Sequence, residues 1–130
     1  MKLSALLFSI GLCFLVASNV PAQNPQTTDP CADAQTTVEM RDCAGKEYKQ
    51  ADAELNAVYK RLMATLSDKA EQASLKSAQQ AWLKYRDANC EFDAFENRGG
   101  TIYPVVYTSC LTAMTRARTK ELQEEMAEGH

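Results

Sequence analysis

The sequence predicts an all-α fold: a bundle of three long helices held by two disulfides. Three observations predict it. Every long segment repeats its apolar residues at steps of three and four, and none alternates with a period of two. Glycine and proline cluster between these periods, with Gly45 the exception. Four cysteines, Cys31, Cys43, Cys90 and Cys110, stand where helical hairpins could join them.

The chain starts with a leader-like stretch. Lys2 precedes an apolar run from Leu3 to Ala17, and Val20-Pro21-Ala22 puts small residues before a cleavage point after Ala22. Residues 1–22 therefore read as a secretory signal peptide. The run is shorter than the ~18–20 residues that span a bilayer, so no membrane span is expected after cleavage. Leu12 stands before Cys13 where a lipoprotein signal needs a small residue, so Cys13 leaves with the leader. Of 130 residues, removal of 22 leaves 108, with 17 acidic and 13 basic side chains and a net charge of −4. That balance disfavours nucleic acid and suits a basic protein partner. Residues 23–35, with two prolines among polar residues, read as a flexible segment.

Thr36-Thr37-Val38-Glu39 matches a capping box. Val38, Arg41, Tyr48, Leu55, Leu62 and Leu66 then keep a helical period, predicting one long helix to about Leu66. A break at Gly45 is the alternative, since a mid-helix glycine costs about 1 kcal/mol. Asp68-Lys69-Ala70-Glu71 opens a second helix, expected from Lys69 to Glu96 and stopped by Asn97-Arg98-Gly99-Gly100. Positions 75, 78, 82, 85, 86 and 89 predict its buried face, with Trp82 as core anchor beside Tyr85, Arg86 and Asp87. Pro104 is placed to open a third helix, whose polar tail from Glu124 to His130 is expected to fray. The folded domain is thus residues 36–127.

At 1.5 Å per residue, Cys90 and Cys110 both fall about 10 Å from the turn between the second and third helices. A short fold-back brings Cys31 to Cys43 on the first helix. The expected bridges are Cys31–Cys43 and Cys90–Cys110; the other two pairings would tie the first helix to the second hairpin.

Chemistry has little to work with. His130 is the sole histidine and lies at the very end, so neither a nucleophile–histidine pair nor a zinc site is expected. There is no CxxC pair and no glycine-rich phosphate loop. Asp52/Glu54 and Asp87/Glu91 read as solvated faces. No catalytic residue, metal or cofactor is predicted. Arg86 reads as structural, its stem beside Trp82 and its fork on a first-helix carboxylate such as Asp52 or Glu47. The candidate partner-binding surface is the loop Arg98, Gly99, Gly100, Thr101, Ile102 and Tyr103, because loops on rigid scaffolds carry recognition. The competing reading makes Tyr103 a cap on the bundle end.

Several segments together have a familiar pattern. They are Cys31…Cys43, Tyr48-x3-Asp52-x2-Leu55-Asn56-x2-Tyr59-x2-Leu62, and Leu75-Lys76-x-Ala78-Gln79-x-Ala81-Trp82-x2-Tyr85-Arg86-Asp87-x2-Cys90. Gly99-Gly100-Thr101 and Cys110-x3-Met114-Thr115-x2-Arg118-x3-Leu122 follow. This resembles the lysozyme inhibitor LprI N-terminal domain family of bacterial envelope proteins. The resemblance implies an exported helical domain with paired disulfides, periplasmic or secreted, whose work is binding and not catalysis. For the member that names the family it implies inhibition of a lysozyme; on that reading the insert into the cleft here would be the loop from Arg98 to Tyr103. The alternative is an envelope interaction or stress protein with another partner. The matching positions are mostly apolar or cysteine, so they describe the scaffold.

Overall fold

The computed structural model describes residues 31–129. The leader (1–22) and most of the flexible segment lie outside the described residues. Three helices follow a turn at Cys31: α1 (Thr37–Thr65), α2 (Lys69–Asp93) and α3 (Tyr103–Glu128), with a short 3-10 turn at Phe95–Asn97.

Local chemistry explains the boundaries. At the start of α1 the Glu39 amide donates to Thr36 Oγ1 at 3.2 Å, and the Thr36 amide donates to the Glu39 carboxylate at 2.9 Å. The helix runs unbroken through Gly45, for 29 residues. Asp68 caps α2, accepting from the amides of Ala70 and Glu71, and Gln72 Nε2 donates to Leu66 O to close the α1–α2 turn. α2 ends at Asp93, three residues before the predicted Glu96, because the chain tightens into the 3-10 turn. Pro104 sits in the first turn of α3. The expected fraying beyond Glu124 is not seen: the helix continues to Glu128. Met126, one turn past Leu122, packs on the core, and Gly129 closes the end at φ 91°.

α1 and α3 run parallel, with α2 antiparallel to both. The start of α1 lies beside Gly100–Pro104, and Leu62 and Leu66 near its end lie beside Leu122 and Glu125. α3 packs far more closely on α1 than on α2. The buried residues of α1 and α3 include the small Ala44, Ala51, Thr112, Thr115 and Thr119, which lets backbones approach. Leu55, Val58, Leu62 and Leu122 form the core, with Tyr59, Leu75, Trp82 and Met126 around it. α2 stands further off because its inward residues, Gln79, Trp82 and Arg86, are large.

The inward face of α2 corrects the expectation. Residues 75, 79, 82, 86 and 90 turn inward, whereas Ala78 and Tyr85 are exposed. The helix is rotated by about half of the 100° step between residues, some 50°, from the predicted face. Two inward demands set this rotation: Cys90 must meet Cys110, and Arg86 must reach α3. Tyr85 is therefore a surface residue and not part of the core, and Asp87 is half-exposed.

Arg86 is buried. Its Nε and Nη2 donate to Asp87 Oδ1 at 2.9 and 2.7 Å, and its Nη1 donates to Thr115 Oγ1 at 3.3 Å. Its guanidinium also lies over the rings of Tyr48 and Trp82. The carboxylate is thus the adjacent one on α2, not Asp52 or Glu47. Those are engaged elsewhere: Asp52 accepts from Asn56, and Glu47 pairs with Arg116. With Tyr48 and Trp82 around the guanidinium, α1 carboxylates stay out of reach.

Both bridges have the predicted pairing. Cys31–Cys43 and Cys90–Cys110 each have Cα atoms 5.6 Å apart, spanning 12 and 20 residues.

Two stability measurements check these assignments. Asp87→Ala should destabilise the protein by about 2 kcal/mol, since it strips a buried guanidinium of its charged acceptor. Asp42→Ala, at a comparably exposed acid in a surface pair, should change it by less than about 0.5 kcal/mol; urea unfolding compares them. Replacing either cysteine pair by serine should cost about 3 kcal/mol in the same assay.

Candidate functional site

The Arg98–Tyr103 loop is built by turns that only its sequence permits. Asn97 O accepts the Gly100 amide at 3.0 Å, and Gly100 O accepts the Tyr103 amide at 3.3 Å. Gly99 takes φ 79°, a left-handed value that other residues rarely adopt. A Cβ at Gly100 would meet Asn97 O at 3.2 Å, tighter than ordinary packing. The loop is thereby a closely folded corner joining the 3-10 turn to α3.

Its side chains Arg98 and Tyr103 converge on one acid that the sequence reading left on a solvated face. Arg98 Nη2 lies 3.1 Å from Glu91 Oε2, and the Tyr103 hydroxyl donates to the same oxygen at 2.9 Å. The Arg98 guanidinium also stacks over Phe95, 4.6 Å from the ring centre. Tyr103 is stacked on Tyr107, with centroids 6.0 Å apart and planes 10° from parallel. The Tyr103 hydrogen bond, then Arg98, holds the Glu91 carboxyl below its usual range. The Glu91 carboxylate in turn pushes the Tyr103 phenol up. Tyr107 is also pushed up, by burial first and by Asp87 and Glu91 next.

Thr101 and Ile102 are the exposed tip. Beside them lies a mostly apolar groove of about 490 Å³, lined by Thr36, Thr37, Val38, Arg41, Gly100, Thr101 and Pro104. Two sequence-distant segments, the first turn of α1 and the loop, therefore form one surface. Val38 is an exposed apolar side chain on it. Sequence reasoning missed Glu91 and the groove's α1 half. Glu91 sits seven residues before Arg98, a two-turn separation that could have flagged it; nothing local marks Val38. The predicted Trp82, Arg86 and Asp87 lie further along the bundle and serve the helix packing. Among the described residues, no three Cys, His, Asp or Glu side chains cluster as metal ligands would.

The geometry offers a rigid protruding corner with an apolar tip, a tethered guanidinium and an adjacent groove. Such a surface suits protein recognition.

Comparison with known proteins gives the family. The profile of the lysozyme inhibitor LprI family matches residues 28–122. An uncharacterized protein of Rhizobium meliloti (strain 1021), R02472, is 35% identical over 128 residues, covering 89% of this chain and 92% of that protein. The uncharacterized protein YecT of Escherichia coli (strain K12) is 28% identical over 98 residues, covering 65% of this chain and 60% of that protein. The crystal structure of a DUF1311 family protein from Pseudomonas putida KT2440 shares the fold. Its TM-score is 0.63 at 22% identity, over 66% of this chain and 89% of that one. With a matched span that takes in both disulfides and all but the end of α3, this chain belongs to the lysozyme inhibitor LprI family.

Proposed function

We propose that this protein is exported and blocks a lysozyme by seating its Arg98–Tyr103 corner in the sugar-binding cleft. Family membership over residues 28–122 carries the reading. The two disulfides point to an oxidising, extracytoplasmic compartment, and residues 1–22 supply a leader for reaching it.

The geometry refines how the corner would act. A muramidase cleft carries two carboxylates and accepts an extended sugar chain. Ile102 and Thr101 at the tip enter first and exclude the chain. Arg98 stands behind them, in a half-exposed pair with Glu91 that contributes little by itself. It can turn to a cleft carboxylate without leaving a buried charge behind. The glycine turns keep the corner rigid before contact, which lowers the ordering cost of binding. A net charge of −4 on the mature chain speeds encounter with a basic enzyme.

Mature protein, residues 23–130, mixed with purified lysozymes should slow cell-wall lysis. Ile102→Asp should weaken inhibition at least about tenfold while leaving the melting temperature unchanged. Undiminished lysis at large excess of the protein overturns the reading, and recovery of one other stoichiometric envelope partner would replace it. The corner itself should respond to acid. Because Glu91 titrates below its ordinary 4.5 in the folded protein, its hold on Tyr103 is complete above that pH. The hold is lost as pH falls through the lowered value. NMR of the Tyr103 ring should show no change from neutrality to about pH 5 and a shift below about pH 4; Glu91→Gln should abolish this transition.

A further inference from the structure

The rotation that turns Gln79 and Arg86 inward leaves a second stripe on the outside of α2. Ala78, Ala81, Tyr85, Ala88, Phe92 and Phe95 follow one another at steps of 3, 4, 3, 4 and 3, and all six are exposed. The first five lie within α2, and Phe95 begins the 3-10 turn after it. Phe92 is 82%, Tyr85 60% and Phe95 52% exposed. A stripe with this spacing is the seam of a helix pair; among the described residues Arg98 lies over Phe95 at one end of it, and the rest stays exposed.

The order of residues along the stripe selects the occupant. Large and small positions are arranged so that the stripe complements its own reverse. Laid antiparallel on a second copy about a two-fold axis, Phe95 faces Ala78 of the second copy, Phe92 faces its Ala81, and Tyr85 faces its Ala88. Every ring meets an alanine, and no ring meets a ring. In a two-fold interface each such match occurs twice. The flanking charges agree. Lys84 and Glu91 lie on the same edge of the stripe, each one place before a seam residue. The antiparallel arrangement sets Lys84 of one copy beside Glu91 of the other, again twice. Within its own chain Glu91 bonds Arg98 and Tyr103 through Oε2; Oε1 is the oxygen that would take Lys84 of the second copy.

We infer that α2 is a homodimerisation helix, pairing antiparallel with α2 of a second copy through the Ala78–Phe95 stripe. The seam is ~25 Å long. A single helix face of that length falls at the small end of specific interfaces, so the dimer dissociates in the micromolar range. The two Arg98–Tyr103 corners then lie at opposite ends of the dimer.

Sedimentation equilibrium of the mature protein from about 1 to about 500 µM should show a monomer–dimer equilibrium. Phe92→Asp should weaken it at least about tenfold, with unchanged helical circular dichroism and melting temperature. Ala81→Phe, which sets ring against ring, should weaken it similarly. Zero-length carbodiimide coupling should link Lys84 to Glu91 between chains in the dimer band. A monomer throughout that range overturns the inference. So does a dimer indifferent to both substitutions, or intermolecular links confined to other pairs.

Discussion

A positive charge inside the bundle governs how the three helices meet. Arg86 lies on α2, its guanidinium sits over Tyr48 of α1, and it donates to Thr115 of α3. A buried guanidinium is tolerated only where its donors and charge are answered. Asp87 gives the charge, Thr115 Oγ1 takes a further donor, and the faces of Tyr48 and Trp82 cover the plane. Each of these conditions fixes a distance or a rotation. α2 must stand off far enough for the guanidinium and two aromatic rings, and must turn so that residue 86, not residue 85, points inward. α1 and α3, with small residues among their buried side chains, are free to close on each other. Gln79 completes the polar inward face by accepting from Arg118.

Much of this was legible in the sequence, for reasons that are local. Helical period, the Thr36 and Asp68 caps and the glycine pair at 99–100 are short-range signals, and they set the elements and their ends to within a few residues. The bridges followed from hairpin arithmetic, because Cys90 and Cys110 are equidistant from one turn. What was not legible depends on how elements face one another. Tyr85 looks like core on a helical wheel, and Gln79 looks like surface. The reverse holds because polar groups with partners on α3 compete successfully with an aromatic that has none. The tail was misread for the same kind of reason: one methionine, Met126, carries enough apolar contact to keep a polar turn helical.

The Arg98–Tyr103 corner divides the same way. Its glycines and the exposed Ile102 could be found by inspection. The acid that orders it, Glu91, is two helical turns away on α2. Its second wall is the first turn of α1, some 60 residues earlier in the chain. Tyr103 serves as a cap and also orders the loop, since its phenol holds the carboxylate that also positions Arg98. Membership in the LprI family accounts for the scaffold positions that recur in the sequence pattern.

Both covalent bridges belong to the same half of the molecule. Cys43 lies in the second turn of α1, while Cys90 and Cys110 flank the loop between α2 and α3. The opposite end, around Leu66 and Asp68, has only side-chain packing and a capped turn. That far end therefore depends on the packing of Leu55, Val58, Leu62 and Leu122, while the Arg98–Tyr103 corner is tied covalently through Cys90 and Cys110. The two halves are thus held by different means, one by covalent bridges and the other by an apolar core.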